Sequence, residues 1–126
     1  MAQTVLLVDD SATIRYIIKV YLMGLGVELL EAGDGEKGLA VLHASHVDLV
    51  IADVRMPGID GITFVKMLRA DPEPRLRAIP VVLLTMQQGA AERQEGMDAG
   101  ANAYLTKPVT SGLLKETVQR LLPAAG

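Results

Sequence analysis

Five short apolar runs, each leading to a polar or charged residue and most followed by a longer stretch of mixed polarity, constrain this chain more than any other feature. Val5-Leu6-Leu7-Val8 ends at Asp9-Asp10. Val27 to Leu30 leads to the turn Gly33-Asp34-Gly35. Asp48-Leu49-Val50-Ile51-Ala52-Asp53 is the clearest run, and it is apolar on both faces, as a central parallel strand must be. Pro80 to Thr85 and Ala103 to Thr106 complete the set.

The intervening spacing predicts helices. Ser11 to Met23 places Ile14, Ile17, Ile18, Tyr21 and Leu22 on one face, with Ser11 as N-cap and Gly24 and Gly26 at the exit. Glu36 to His43 follows Asp34 as a cap, and Asp60 caps a helix carrying Ile62, Val65 and Leu68. Glu92 to Ala99 is helical but poor in large apolar residues, so this helix is expected to be loosely held. Thr110 to Leu122 presents Leu113, Leu114, Thr117, Val118 and Leu121 on one side, with Pro123 beyond its end. Asp71-Pro72-Glu73-Pro74 reads as a loop. Alternation at this spacing, with right-handed crossovers, predicts an α/β architecture. The expected fold is a flavodoxin-like doubly wound five-stranded parallel sheet, strand order 2-1-3-4-5, with five helices in one domain over residues 1–126.

Composition narrows the function classes. The 126 residues suffice for one core, and a mean hydropathy of +0.31 argues against disorder. The net charge is -3, and no basic run of the kind that holds nucleic acid is present. The densest basic stretch, Arg69 to Arg77, is interrupted by Asp71 and Glu73 and reads as a solvated loop. The absence of cysteine excludes disulfides and thiol chemistry. No apolar run approaches the roughly 20 residues of a membrane span, and Met1-Ala2-Gln3-Thr4 lacks a signal peptide's basic start. A soluble cytoplasmic protein, contacting neither membrane nor nucleic acid directly, is expected. His43 and His46 lie near a helix end, are expected to lack a third metal ligand, and are expected to face solvent.

The chemistry gathers at strand ends. Asp9 and Asp10 follow the first strand, Asp53 ends the third, Thr85 ends the fourth and Lys107 follows the fifth. In a doubly wound sheet, ligands bind outside the carboxyl ends of the strands, so these residues should converge at one edge. Clustered carboxylates repel one another unless a counter-charge intervenes. Oxygen-only donors at an open site favour Mg2+ (or Mn2+), which keeps several waters. Lys107 offers a point charge and Thr85 a hydroxyl to a phosphoryl group. The Asp53 carboxylate is a competent nucleophile for phosphoryl transfer, giving an acyl phosphate. The metal and Lys107 would neutralise charge on the transferring group.

Asp9-Asp10, Asp53 with Met56-Pro57-Gly58 and Asp60-Gly61, Thr85, and Lys107-Pro108 together resemble the receiver domain of two-component response regulators, the CheY-like family. Val8 to Arg15 looks most like the chemotaxis and pilus-motility branch. The resemblance implies that Asp53 is the phosphoacceptor of a sensor histidine kinase or phosphotransfer protein. It implies Asp10, Asp53 and the backbone carbonyl of Arg55 as direct metal ligands, with Asp9 acting through a bound water. It further implies that Thr85 swings toward the phosphoryl group, that Tyr104 moves inward with it, and that the Lys107-Pro108 bond is cis. A face made by the fourth helix, fifth strand and fifth helix would then be read by a downstream effector or output domain. Such a protein is a phosphoacceptor switch and not an enzyme in the usual sense.

Three positions depart from the common form. Met86 is bulky where the family often has a small residue, which is expected to narrow access to Asp53. Arg55 is long and basic, and is expected to pair with a nearby acid and affect the lifetime of the phosphorylated state. Gln87 is neutral where some relatives carry an acid. The rival readings are a degenerate receiver acting as a constitutive interaction module, an FMN carrier and a small phosphatase. The full set of acids with Thr85 and Lys107 argues against the first. Two acids after the first strand, where flavin phosphate would sit, argue against the second. Asp9-Asp10-Ser11 lacks the Asp-x-Asp-x-Thr pattern of the third.

Overall fold

A computed structural model describes residues 2–86 and 89–123 of the chain. Its sheet comprises β1 (Thr4–Val8), β2 (Glu28–Ala32), β3 (Leu49–Asp53), β4 (Val81–Thr85) and β5 (Ala103–Thr106), all parallel, in the order β2-β1-β3-β4-β5. The helices are α1 (Ala12–Leu22), α2 (Gly35–Ala44), α3 (Gly61–Arg69), α4 (Pro74–Arg77), α5 (Ala90–Ala99) and α6 (Ser111–Leu121). The expected parallel sheet and its strand order are borne out. The four-residue α4 is an addition inside the expected proline loop, so the fourth and fifth helices of the sequence reading are α5 and α6.

Alternation along the strands explains why both faces are covered. Val5, Leu7, Leu49, Ile51, Val82 and Leu84 point to one side, against Ile18 and Leu22 of α1 and Leu114 and Val118 of α6. Leu6, Val8, Val50, Ala52, Val81 and Leu83 point to the other, against Leu42 of α2 and Ile62, Phe64, Val65 and Leu68 of α3. Each Val, Leu, Ile or Phe side chain among these, fully buried, contributes about 1.5–3 kcal/mol. Ser11, Asp34, Asp60 and Thr110 accept the N–H groups of Ile14, Lys37, Thr63 and Leu113 and so cap four helices. A cap of this kind is typically worth ~1 kcal/mol.

Three details differ from the sequence reading. Ile17, expected on the apolar face of α1, is 38% exposed. Leu113 is 46% exposed, because the buried stripe of α6 runs through Leu114, Thr117 and Val118. Arg69 is not part of a solvated stretch. Its guanidinium donates to the carbonyls of Arg77, Ile79 and Gly100 and to Asn102 Oδ1, at 2.7–3.1 Å. It thereby ties the end of α3 to the segments entering β4 and β5.

Helix α5 is poor in large apolar residues, as expected, yet it sits close to the sheet at Gly96. A Cβ there would stand 3.1 Å from Leu83 Cδ1 and 3.1 Å from the Tyr104 ring. Close backbone approach takes the place of bulky side chains.

Candidate functional site

Asp9 follows β1 directly, and its N–H donates to the Ala32 carbonyl at 3.1 Å, continuing the pairing with β2. Its carboxylate is buried, with Oδ1 accepting the Ser11 N–H at 2.9 Å. The Arg15 guanidinium donates to its backbone carbonyl. Asp10 is exposed beside it. Asp53 closes β3, and its Oδ1 accepts the Arg55 N–H at 3.2 Å. One carboxylate oxygen from each of Asp9, Asp10 and Asp53 lies within 4.8 Å of the others.

Lys107 arrives from β5. Its N–H donates to the Thr85 carbonyl at 2.7 Å, and the Lys107-Pro108 bond is cis. Its Nζ stands 3.4 Å from Asp9 Oδ2 and 3.4 Å from Asp53 Oδ2. Burial pushes the Asp53 carboxyl above its ordinary value; Lys107 opposes this, while the charge of Asp9 adds to it. Three acids and one lysine leave the cluster negative. Its oxygen-only donors and open side suit a hard divalent ion, so the residues present fit Mg2+.

Thr85 and Tyr104 are both buried next to this edge. The Tyr104 hydroxyl donates to Glu92 Oε1 at 3.1 Å. Burial, then Glu92, pushes the phenol above its ordinary value, and a hydrogen bond with Thr85 acts in the opposite sense. Arg93 lies over the ring, 5.8 Å from its centroid. Tyr104 is thus buried and hydrogen-bonded in this structure. Arg55 does pair with an acid: its Nη2 is 3.0 Å from Glu92 Oε2.

The sequence candidates Asp9, Asp10, Asp53, Thr85, Tyr104 and Lys107 therefore meet at one edge. Gln87 lies outside the described residues. Met86 is 71% exposed and lines an apolar groove of about 400 Å³ with Ile14, Ile17, Tyr21 and Pro108. Glu92 was missed. Its only sequence signal is an acid in the first turn of a helix, where acids are common for dipole reasons alone.

His43 is exposed, as expected, but the fold brings acids to it. Its Nε2 is 3.1 Å from Asp71 Oδ2, with Glu73 nearby. Glu73 is in turn paired to Arg75 at 3.1 Å, a cation that disfavours a metal there. Among the described residues, no helix is long and apolar enough to cross a membrane.

Comparison with known proteins agrees with this geometry. The family described as response regulator receiver domain matches residues 5–119. The chemotaxis protein CheY of Pseudomonas aeruginosa is 38% identical over 118 residues, covering 93% of this chain and 94% of that protein. CheY1 of Helicobacter pylori is 40% identical over 119 residues, covering 93% and 94%. The solved structure of Vibrio cholerae CheY4 superposes with a TM-score of 0.88 at 35% identity, covering 97% of this chain and all of that one. The receiver domain of a signal transduction histidine kinase from Syntrophus aciditrophicus gives 0.87 at 33% identity, covering 96% and 90%. The probable transcriptional regulator ycf27 of Cyanophora paradoxa is 35% identical, with the match covering 47% of that longer protein. The chain belongs to the response regulator receiver domain family of two-component signalling and is CheY-like within it.

Proposed function

We propose that the chain is a cytoplasmic phosphoacceptor switch working through Asp53. The observation that carries this reading is Lys107 Nζ standing 3.4 Å from both Asp9 and Asp53, beside a three-carboxylate cluster. Asp10, Asp53 and the Arg55 carbonyl would hold Mg2+, with Asp9 acting through water. When bound, the ion offsets charge on the carboxylates and on phosphoryl oxygens. An Asp53 carboxylate oxygen attacks the phosphorus of a partner's phosphohistidine. The P–N bond breaks, the imidazole leaves with its electron pair, and an acyl phosphate remains on Asp53. The burial that raises the Asp53 pKa also makes this carboxylate the better base and nucleophile. Lys107 stabilises charge on the phosphoryl group, and the Thr85 hydroxyl turns to donate to it. Hydrolysis resets the protein, so it is consumed as an acceptor and is not an enzyme in the usual sense.

The donor is a sensor histidine kinase or a phosphotransfer protein. The effector or output domain reads the face of α5, β5 and α6, where Tyr104 reports the state of Thr85. The test is labelled phosphotransfer in Mg2+, from a phosphohistidine donor, to wild type and Asp53→Ala. Labelling is expected in the first and absent in the second; label persisting in Asp53→Ala sinks the assignment.

A further inference from the structure

The Glu92 carboxylate is divided between two partners. Oε2 pairs with the Arg55 guanidinium at 3.0 Å, and Oε1 accepts the Tyr104 hydroxyl at 3.1 Å. The Glu92 side chain is 19% exposed, enclosed enough for its charge to act more strongly than on an open surface. On one side Arg55 belongs to the loop leaving Asp53, and its own N–H is on Asp53 Oδ1. On the other, Tyr104 is enclosed between Gly96 and Arg93, and shares a hydrogen bond with Thr85. One carboxylate on α5 therefore connects the loop beside Asp53 to the buried tyrosine of β5.

We infer that Glu92 is a positioning residue that couples Asp53 to Tyr104 by competing with the phosphoryl group for Arg55. The inference rests on the phosphoacceptor reading of Asp53. A phosphoryl group there presents several charged oxygens two residues from Arg55, and a guanidinium binds such forked acceptors well. Arg55 then has two anions to choose between. As it shifts toward the phosphoryl group, Glu92 loses a counter-ion and becomes a stronger acceptor for the Tyr104 hydroxyl. The buried setting of Tyr104 is thereby reinforced when Asp53 is occupied. By reciprocity, whatever weakens the hold of Glu92 on Arg55 must favour occupancy at Asp53.

The test is a titration of the full chain with beryllofluoride in Mg2+, followed by amide NMR shifts, on wild type, Glu92→Gln, Arg55→Ala and the double variant. Gln keeps a carbonyl for Tyr104 and removes only the charge that holds Arg55. Glu92→Gln is expected to bind the mimic about fivefold more tightly, at the low end of allosteric couplings, and the gain should vanish in the Arg55→Ala background. Arg55→Lys should keep part of it. Unchanged or weaker binding by Glu92→Gln, or an equal gain without Arg55, overturns the coupling while leaving Asp53 as the acceptor. No response in wild type overturns the acceptor reading and the coupling together.

Discussion

Gly61 lies hard against the backbone of Asp53: a Cβ at position 61 would overlap the Asp53 carbonyl oxygen and stand 2.9 Å from Val54 Cα. The first turn of α3 therefore packs on the strand that carries the phosphoacceptor candidate, held by the Gly61 N–H to the Val54 carbonyl at 2.9 Å. The obstacles are backbone atoms, which cannot rotate aside. Gly61→Ala is expected to cost about 2–3 kcal/mol in urea unfolding, the upper part of the range for overpacking. The variant should also weaken the response to Mg2+, because relief of the clash moves Asp53. Wild-type stability in Gly61→Ala would contradict the tight fit.

Asp53 costs the fold stability. Its carboxyl is raised above the reference value of 3.8, chiefly by burial, so the folded state favours the protonated form. Its contribution to stability is fullest below that reference value and is lost as pH rises through the raised folded value. Asp53→Asn removes this loss and the repulsion from Asp9. Without metal at neutral pH, the variant should be more stable than wild type by about 0.5–2 kcal/mol. The advantage should shrink as pH falls through the raised folded value toward 3.8, and be gone below it. Glu31 shifts the opposite way, lowered by Lys19 and Arg15, and is common to both proteins, so their difference isolates Asp53. Urea midpoints across the acid range check the sign.

Mg2+ should reverse that penalty. An ion bound only by the folded state stabilises by about 2.7 kcal/mol at a hundred times its Kd. Thermal unfolding of wild type should therefore move upward with Mg2+. Asp10 is exposed, so Asp10→Asn should leave the metal-free protein within about 0.5 kcal/mol of wild type. The same variant should lose most of the Mg2+ response. A full response in Asp10→Asn would remove Asp10 from the ligand set.

The fold was legible because its signals are local and repeated. Val5 to Val8 and Leu49 to Ala52 are buried on both faces, and such runs announce parallel strands. Asp9, Asp53, Thr85 and Lys107 were legible through their positions at strand ends, since the strand order then decides who meets whom. Glu92 and Gly96 were not, because their roles depend on how α5 approaches Tyr104, a distance no periodicity encodes. Leu113 was assigned to the wrong flank because a few tens of degrees of helix rotation decide whether such a residue is buried. Arg69 was misread for a related reason. Most of its partners are backbone carbonyls, and backbone acceptors leave no mark in a sequence.

Arg69 carries the last prediction. Its planar group serves three backbone carbonyls and Asn102 Oδ1 across distances of 2.7–3.1 Å. Partial burial lowers its pKa, which is the cost of holding a cation there. Removing it leaves the Ile79 and Gly100 carbonyls short of a donor, and a buried unsatisfied group costs ~1–3 kcal/mol. Arg69→Ala should therefore destabilise by at least about 2 kcal/mol, the sum of more than one such loss. Lys lacks the fork and can reach fewer of these acceptors at once, so Arg69→Lys should recover only part. Arg69 ties α3 to the segments entering β4 and β5, the opposite ends of those strands from Thr85 and Lys107. Beryllofluoride affinity, measured where the variants remain folded, should therefore match wild type. Lost affinity at full stability would instead make Arg69 part of the switch.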